Sequence, residues 1–251
     1  MALLEVEQVS VDFGGVRALH MVDLDVEAAQ ATGLIGPNGA GKTTLFNAIC
    51  GLQSIDRGRV ILAGREISRV TAHKRARLGI ARTFQRLEVF GSMTARDNVR
   101  VAADVRRRWA RRAGRAATGA PEMRTEEILD RVGLRAVADD RVDALPTGLA
   151  RLVEVGRALA SEPQVLLLDE PSSGLSEEET RSFATLLRSL AGEGLAVLLV
   201  EHDVELVMSV CSRIHVLDFG RVIASGSPEE IQGNAAVQSA YLGTTSTSPN
   251  A

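Results

Sequence analysis

Twenty residues constrain the fold of this chain more than any others: "ATGLIGPNGAGKTTLFNAIC", Ala31 to Cys50. An apolar run leads into a glycine-rich turn, and the turn opens a helix at Lys42. The stretch from Gly36 to Thr44 has the spacing GxxxxGK[ST], and its setting between a strand and a helix start makes the match specific. Glycines let successive backbone N–H groups turn inward, and the first turn of a helix adds partial positive charge, so the loop is suited to hold phosphate groups. A strand and helix joined this way belong to an α/β core with a parallel sheet.

The rest of the chain reads as the remainder of such a core. Residues 3 to 35 alternate or run apolar as strands, and "GRVILAG" adds another. "VLLLD" and "LAVLLV" are continuous apolar runs, the pattern of parallel strands covered on both faces. Between the halves, residues 95–160 are rich in Ala, Arg, Leu and Glu, broken by "TGAPEM", and read as a helical insertion. The predicted organisation is a β and α/β core over 1–94 and 161–242, a helical subdomain over 95–160 and a disordered tail over 243–251. No internal repeat is visible.

Composition excludes several classes of function. Of 251 residues, 45% are hydrophobic and 24% charged, which suits a globular protein. The longest apolar runs fall far short of the roughly 20 residues needed to cross a bilayer, and the first residues have no signal-peptide pattern. A formal net charge of −3 and 3% aromatics give no general reason to bind nucleic acid. Cys50 and Cys211 lack metal-ligand or redox spacing and read as packing residues in a reducing compartment, so a cytoplasmic location is expected.

Three stretches carry chemistry. Lys42 supplies a point charge to the phosphates, and the Thr43 hydroxyl, followed by Thr44, suits Mg²⁺. "VLLLDEP", Val165 to Pro171, ends an apolar strand in two acids: Asp169 for the Mg²⁺ and Glu170 to orient and deprotonate an attacking water. "VLLVEHD" repeats the design and ends at His202, whose imidazole suits a γ-phosphate contact.

Together these residues resemble an ATPase subunit of an ABC transporter, and the resemblance spans nearly the whole chain. Walker A is "GPNGAGKTT" (Gly36, Pro37, Asn38, Gly39, Ala40, Gly41, Lys42, Thr43, Thr44), the Q-loop "RTFQ" ends at Gln85, Walker B is "VLLLDEP", the D-loop "SSGLS", and the switch histidine lies in "VEHD". The wording of "FGGVRAL", "GIARTFQRLEVFGSMTARDNV" and "EHDVELVMSVCSRIHVLDFGRVIASGSPEEIQ" is closest to the Liv-type ATPases of branched-chain amino acid importers. The resemblance implies a P-loop NTPase core with an N-terminal antiparallel β subdomain and a helical insertion, ATP and Mg²⁺ as cofactors, a second ATPase subunit and membrane permease subunits as partners, and work at the cytoplasmic face of the membrane. It implies that Phe13 stacks on adenine, that Gln85 contacts Mg²⁺ or the water, and that Arg86 to Asn98 line the groove for the permease's coupling helix. Urea or amide import and lipopolysaccharide export are alternatives of the same class. A soluble ABC ATPase acting on DNA or ribosomes is one of another class, and the chain shows no long coiled coil, metal-binding cysteines or second ATPase domain to support it.

Two stretches depart from the expected wording or leave it unexplained. An arginine cluster from Arg106 to Arg115 reads as a solvated helix face, with attraction to anionic lipid as the minority reading. Where such ATPases lend LSGGQ to the opposite subunit's ATP, this chain has Leu145, Pro146, Thr147, Gly148 and Leu149, losing the serine, one glycine and the glutamine. Leu152, Val155 and Leu159 keep a helical apolar face, and Pro146 suits a helix's first turn, where its missing N–H is not needed. The helix dipole, the Gly148 N–H and the Thr147 hydroxyl are then the remaining candidates for phosphate contact. Losing one hydrogen bond to a charged group costs about 1.5–3 kcal/mol, so impairment rather than abolition is expected. The expected assembly is an asymmetric heterodimer in which this chain hydrolyses ATP against a partner's regular signature.

Overall fold

The computed structural model describes residues 2–114 and 121–242 and places them in two sheets and a helical layer. Strands β1 (Ala2–Phe13), β2 (Val16–Glu27), β4 (Arg57–Leu62) and β5 (Arg65–Glu66) form an antiparallel sheet in the order β2-β1-β4-β5. The second sheet runs β10-β9-β3-β8-β7-β6 and comprises β3 (Ala31–Ile35), β6 (Ile80–Arg82), β7 (Val165–Asp169), β8 (Ala196–Val200), β9 (Arg213–Asp218) and β10 (Arg221–Gly226). Its strands are parallel except β10, which returns antiparallel beside β9. Every residue of β3, β7 and β8 is buried, the outcome expected of apolar runs covered on both faces.

Two apolar clusters use the two faces of the second sheet. One joins it to the antiparallel sheet and to α1 (Lys42–Cys50) through Leu4, Val22, Phe46, Leu167 and Leu198. The other joins it to α6 (Glu177–Gly192), α7 (Val204–Val210) and the helices inserted between β6 and β7: α3 (Ala95–Arg112), α4 (Pro121–Arg131) and α5 (Thr147–Ala160). The remaining helices are α2 (Ala72–Arg77), α8 (Pro228–Gln232) and α9 (Ala235–Leu242). Helix starts follow their local chemistry. Thr94 caps α3 by accepting from the Asp97 N–H, Asp203 caps α7, and Ser176 with Glu179 forms a reciprocal capping box on α6.

The apolar face expected of α5 is present, with Val155 and Leu159 buried in the core and Leu152 packed against it, and the enclosed surface is wider than that stripe. Leu152 is half-buried, while Val153 and Val155 are enclosed together with Arg151 and Glu154. Of the arginine cluster, Arg106 pairs with Glu162 at 3.2 Å and Arg108, Arg111 and Arg112 are exposed; Arg115, like residues 243–251, lies outside the described residues.

Candidate functional site

The phosphate loop begins where β3 leaves the sheet. Gly36 has φ +151, and a Cβ there would overlap the carbonyl oxygen of Leu217, so no other residue fits between the loop and β9. Lys42 folds back over the loop: its Nζ donates to the carbonyls of Gly36 (2.6 Å) and Pro37 (2.9 Å). Burial pushes the lysine's pKa down, while the carboxylates of Glu170 and Asp169 oppose that shift. Asp169, the last residue of β7, and Glu170 just after it therefore act on the same cation as the loop. Pro37 is half-buried, Asn38, Gly39 and Thr43 are exposed, Thr44 is half-buried and Ala40 is buried. The first turn of α1, capped by Gly41 without a side-chain acceptor, leaves donors and a positive helix end at the loop.

Glu170 follows the last residue of β7 with φ +49, a left-handed backbone that a residue with a Cβ seldom adopts. It is held there by its own N–H to the Val200 carbonyl (2.9 Å). Its carboxylate is gripped at both oxygens: Oε1 lies 2.6 Å from His202 Nε2, and Oε2 accepts from Gln85 Nε2 at 2.9 Å. Glu201 supports this from behind, taking the Ser172 N–H at 2.7 Å and the His202 N–H at 3.1 Å. Glu170, His202 and Gln85, placed on three separate segments of chain, thus meet at one point.

Asp169 is buried, and Arg82 donates from Nη2 to its Oδ2 at 2.7 Å. Gln85 is placed by α5: Arg151 donates from Nη1 to the Phe84 carbonyl (2.9 Å) and from Nη2 to the Gln85 carbonyl (2.6 Å). Glu154 accepts from the Phe84 N–H at 3.1 Å and pairs with Arg151 at 3.3 Å. Burial pushes the Glu154 carboxyl above its usual range, opposed by those backbone donors and by Arg151.

Phe13 ends β1 and is 46% exposed, available for stacking. Its hairpin is tied to the loop by Gly220, which donates to the Ala40 carbonyl at 2.9 Å and accepts from the His20 N–H at 2.8 Å. Pro146, Thr147 and Gly148 stand apart. Pro146 is the cap of α5, with φ −53 and ψ 150, rather than its first helical residue: its carbonyl accepts from Ala150, and Thr147 takes the first helical position. Pro146 and Thr147 are exposed, while a Cβ on Gly148 would meet Glu179 Oε1 at 2.5 Å and Leu175 Cδ2 at 2.9 Å. A carboxylate of α6 therefore sits against the start of this helix.

Within the segment Arg86 to Asn98, Glu88 borders a neighbouring groove. That groove, about 470 Å³, is otherwise walled by residues such as His73, Phe84, Trp109 and Arg157 from the surrounding elements. Asn98 is fully buried, its amide bonded to the Phe90 and Thr94 carbonyls and its Oδ1 to the Phe90 N–H, so this part of the segment folds onto itself.

Sequence reasoning missed Arg82, Arg151, Glu154 and Glu201. The available signal was charge inside otherwise apolar runs: Arg82 within "GIARTF", Glu201 after "AVLLV", and Arg151 with Glu154 three apart on α5.

The hard oxygens of the site are the Thr43 hydroxyl and the carboxylates of Asp169 and Glu170, and both oxygens of Glu170 are engaged by Gln85 and His202. Among the described residues no trio of His, Cys, Asp and Glu forms a cage for a metal. That donor set fits Mg²⁺, which keeps several waters and binds through one or two protein oxygens together with substrate phosphates.

Comparison with known proteins gives a consistent picture. Residues 19–173 match the ABC transporter family, and residues 221–246 match the family described as branched-chain amino acid ATP-binding cassette transporter. The chain is 39% identical to the high-affinity branched-chain amino acid transport ATP-binding protein BraF of Pseudomonas aeruginosa, covering 96% of this chain and 98% of that one. It is 35% identical to LivG of Escherichia coli, described in the same terms, with the same coverage. A nucleotide-free ATP-binding cassette from an ABC transporter superposes with a TM-score of 0.83 at 28% identity, covering 96% of this chain and 99% of that one.

Proposed function

Because the chain belongs to the ABC transporter family as an ATP-binding subunit that couples ATP hydrolysis to transport, we propose that its cargo is a branched-chain amino acid and that its own half-site is the hydrolysing one of an asymmetric pair. The cargo reading rests on the match of residues 221–246 and on the relatives named for such transport. The observation that carries the catalytic reading is the grip of Gln85 and His202 on the two oxygens of Glu170, beside the loop that holds Lys42.

In the proposed reaction the loop amides and Lys42 hold the β- and γ-phosphates, Phe13 stacks on adenine, and Thr43 and Asp169 hold Mg²⁺. The cation, when bound, neutralises charge on the phosphate oxygens. Glu170 orients a water against the γ-phosphorus and accepts its proton as the new O–P bond forms and the bond to the bridging β–γ oxygen breaks. Gln85 and His202 keep the carboxylate aimed, and His202 also reaches the γ-phosphate.

Cassettes of this kind dimerise and work with permease subunits. In the half-site this chain lends to its partner, Pro146 takes the place of a serine hydroxyl and Leu149 that of an amide, leaving the Thr147 and Gly148 N–H groups and the helix end. The Glu179 carboxylate beside Gly148 further weakens that end as an anion site. Among the described residues no helix is long and apolar enough to cross a membrane. The proposed location is the cytoplasmic face, held through a permease that docks in the groove walled by Phe84, Glu88 and Trp109.

Affinity purification of the tagged chain from native membranes should recover permease subunits and a second ATPase with an intact signature. In the recovered complex, Glu170→Gln here should abolish most turnover, and the matching change in the partner should cost far less. Equal losses from the two changes would end the asymmetric reading, and recovery of ribosomal or DNA-bound partners would end the transport assignment.

A further inference from the structure

Arg82 has no role in the scheme above, yet it touches three parts of the site at once. It is the last residue of β6, the edge strand beside β7, and its side chain is 6% exposed against 5% for Asp169. Nη2 donates to Asp169 Oδ2 at 2.7 Å and Nη1 to Asn47 Oδ1 at 2.6 Å, on the helix that starts at the phosphate loop. The guanidinium carbon lies 5.4 Å from the centre of the Phe46 ring and 4.9 Å from that of Phe84, the residue before Gln85. A buried ion pair is a poor way to gain stability, because well-packed apolar side chains in its place are often equal or better. Burying a cation against Asp169 therefore calls for a reason other than packing.

We propose that Arg82 is a positioning residue: a resident counter-ion that holds the Asp169 carboxylate by Oδ2, turns the other oxygen to the nucleotide-bound Mg²⁺, and tempers the affinity for that cation. This rests on the reading of Asp169 as the acid that faces the metal. The guanidinium is planar and forked, so it satisfies Asp169 and Asn47 together and fixes the carboxylate's rotation. It also places a fixed positive charge on the carboxylate the divalent cation must share. The two cations repel, and in a partly desolvated site that repulsion is substantial even at an effective dielectric of about 20. Metal capture is then loose enough to reverse with each nucleotide exchanged.

The test is the Mg²⁺ concentration that half-saturates binding of a fluorescent ADP to the full-length chain, read by fluorescence rather than by turnover. Arg82→Gln keeps a side chain that can donate to Asp169 but removes the charge. It should lower the half-saturating Mg²⁺ about tenfold, equivalent to roughly 1.4 kcal/mol. Arg82→Met should shift it the same way and serves if the first variant does not fold. An unchanged or increased Mg²⁺ requirement in the folded variant would overturn the proposal. Asp169→Asn alone separates the two levels of the argument. If it raises the Mg²⁺ requirement while the Arg82 variants do nothing, Asp169 stays assigned and Arg82 is dismissed. If it too has no effect, the assignment of Asp169 to the cation fails.

Discussion

Replacing Arg151 with methionine tests the link between α5 and Gln85. Arg151 and Glu154 have side chains 9% and 6% exposed, and Arg151 donates to two backbone carbonyls of the segment that carries Gln85. Methionine fills similar volume but leaves both carbonyls without that donor and Glu154 without its counter-ion. Breaking one side of a buried pair costs about 3–5 kcal/mol, mainly because the remaining charge stays buried. Glu154→Gln should cost less, about 1–2 kcal/mol, since an amide oxygen can still accept from the Phe84 N–H. If the loss in Arg151→Met comes from the stranded carboxylate, the double variant should be more stable than the sum of the single losses predicts, by about 1.5 kcal/mol or more. Urea unfolding with linear extrapolation gives the three energies, and hydrogen exchange at the Phe84 amide reports the loosened segment. Additive losses to within about 0.5 kcal/mol, or a loss below about 1 kcal/mol for Arg151→Met, would refute the reasoning.

Other outcomes follow from local geometry. Gly36→Ala should remove nucleotide binding in an equilibrium titration, because its Cβ would occupy the place of the Leu217 carbonyl oxygen, and backbone on both sides cannot yield cheaply. His215 is 2% exposed, its Nε2–H donates to the Asp25 carbonyl and its Nδ1 accepts from the Ser225 hydroxyl, and burial pushes its pKa below the ordinary 6.5. The folded state then binds fewer protons than the unfolded one just below pH 6.5. Its contribution is complete above that value and is lost as pH falls through the depressed pKa. Thermal unfolding of His215→Gln should accordingly lose less stability between about pH 6.5 and 5 than the parent. Restoring the signature with Pro146→Ser, Thr147→Gly and Leu149→Gln should raise the ATPase rate of the chain by itself about ten- to a hundredfold, from one recovered charged hydrogen bond. No increase would show that the altered signature is not what limits it.

The elements legible in the sequence were those governed by local rules. The strand, loop and helix over 31–50 followed from one motif, and β7 and β8 from apolar runs that only a doubly covered strand tolerates. Lys42, Asp169 and Glu170 could be picked out because each stands at the end of such an element. What was not legible depended on long-range packing. Arg82, Arg151, Glu154 and Glu201 read as ordinary charges, and only tertiary structure brings a β6 arginine to a β7 acid 87 residues away. A proline's fixed φ suits both the cap and the first turn of a helix, so the sequence left open which of the two Pro146 takes.

Glu170 occupies a left-handed backbone that costs about 1–2 kcal/mol for a residue bearing a Cβ. Asparagine or glycine relieves that strain, and neither supplies a carboxylate. Directed evolution of this chain for heat resistance alone would thus drift toward inactive sequences at position 170, and any library meant to stabilise it has to hold that codon fixed.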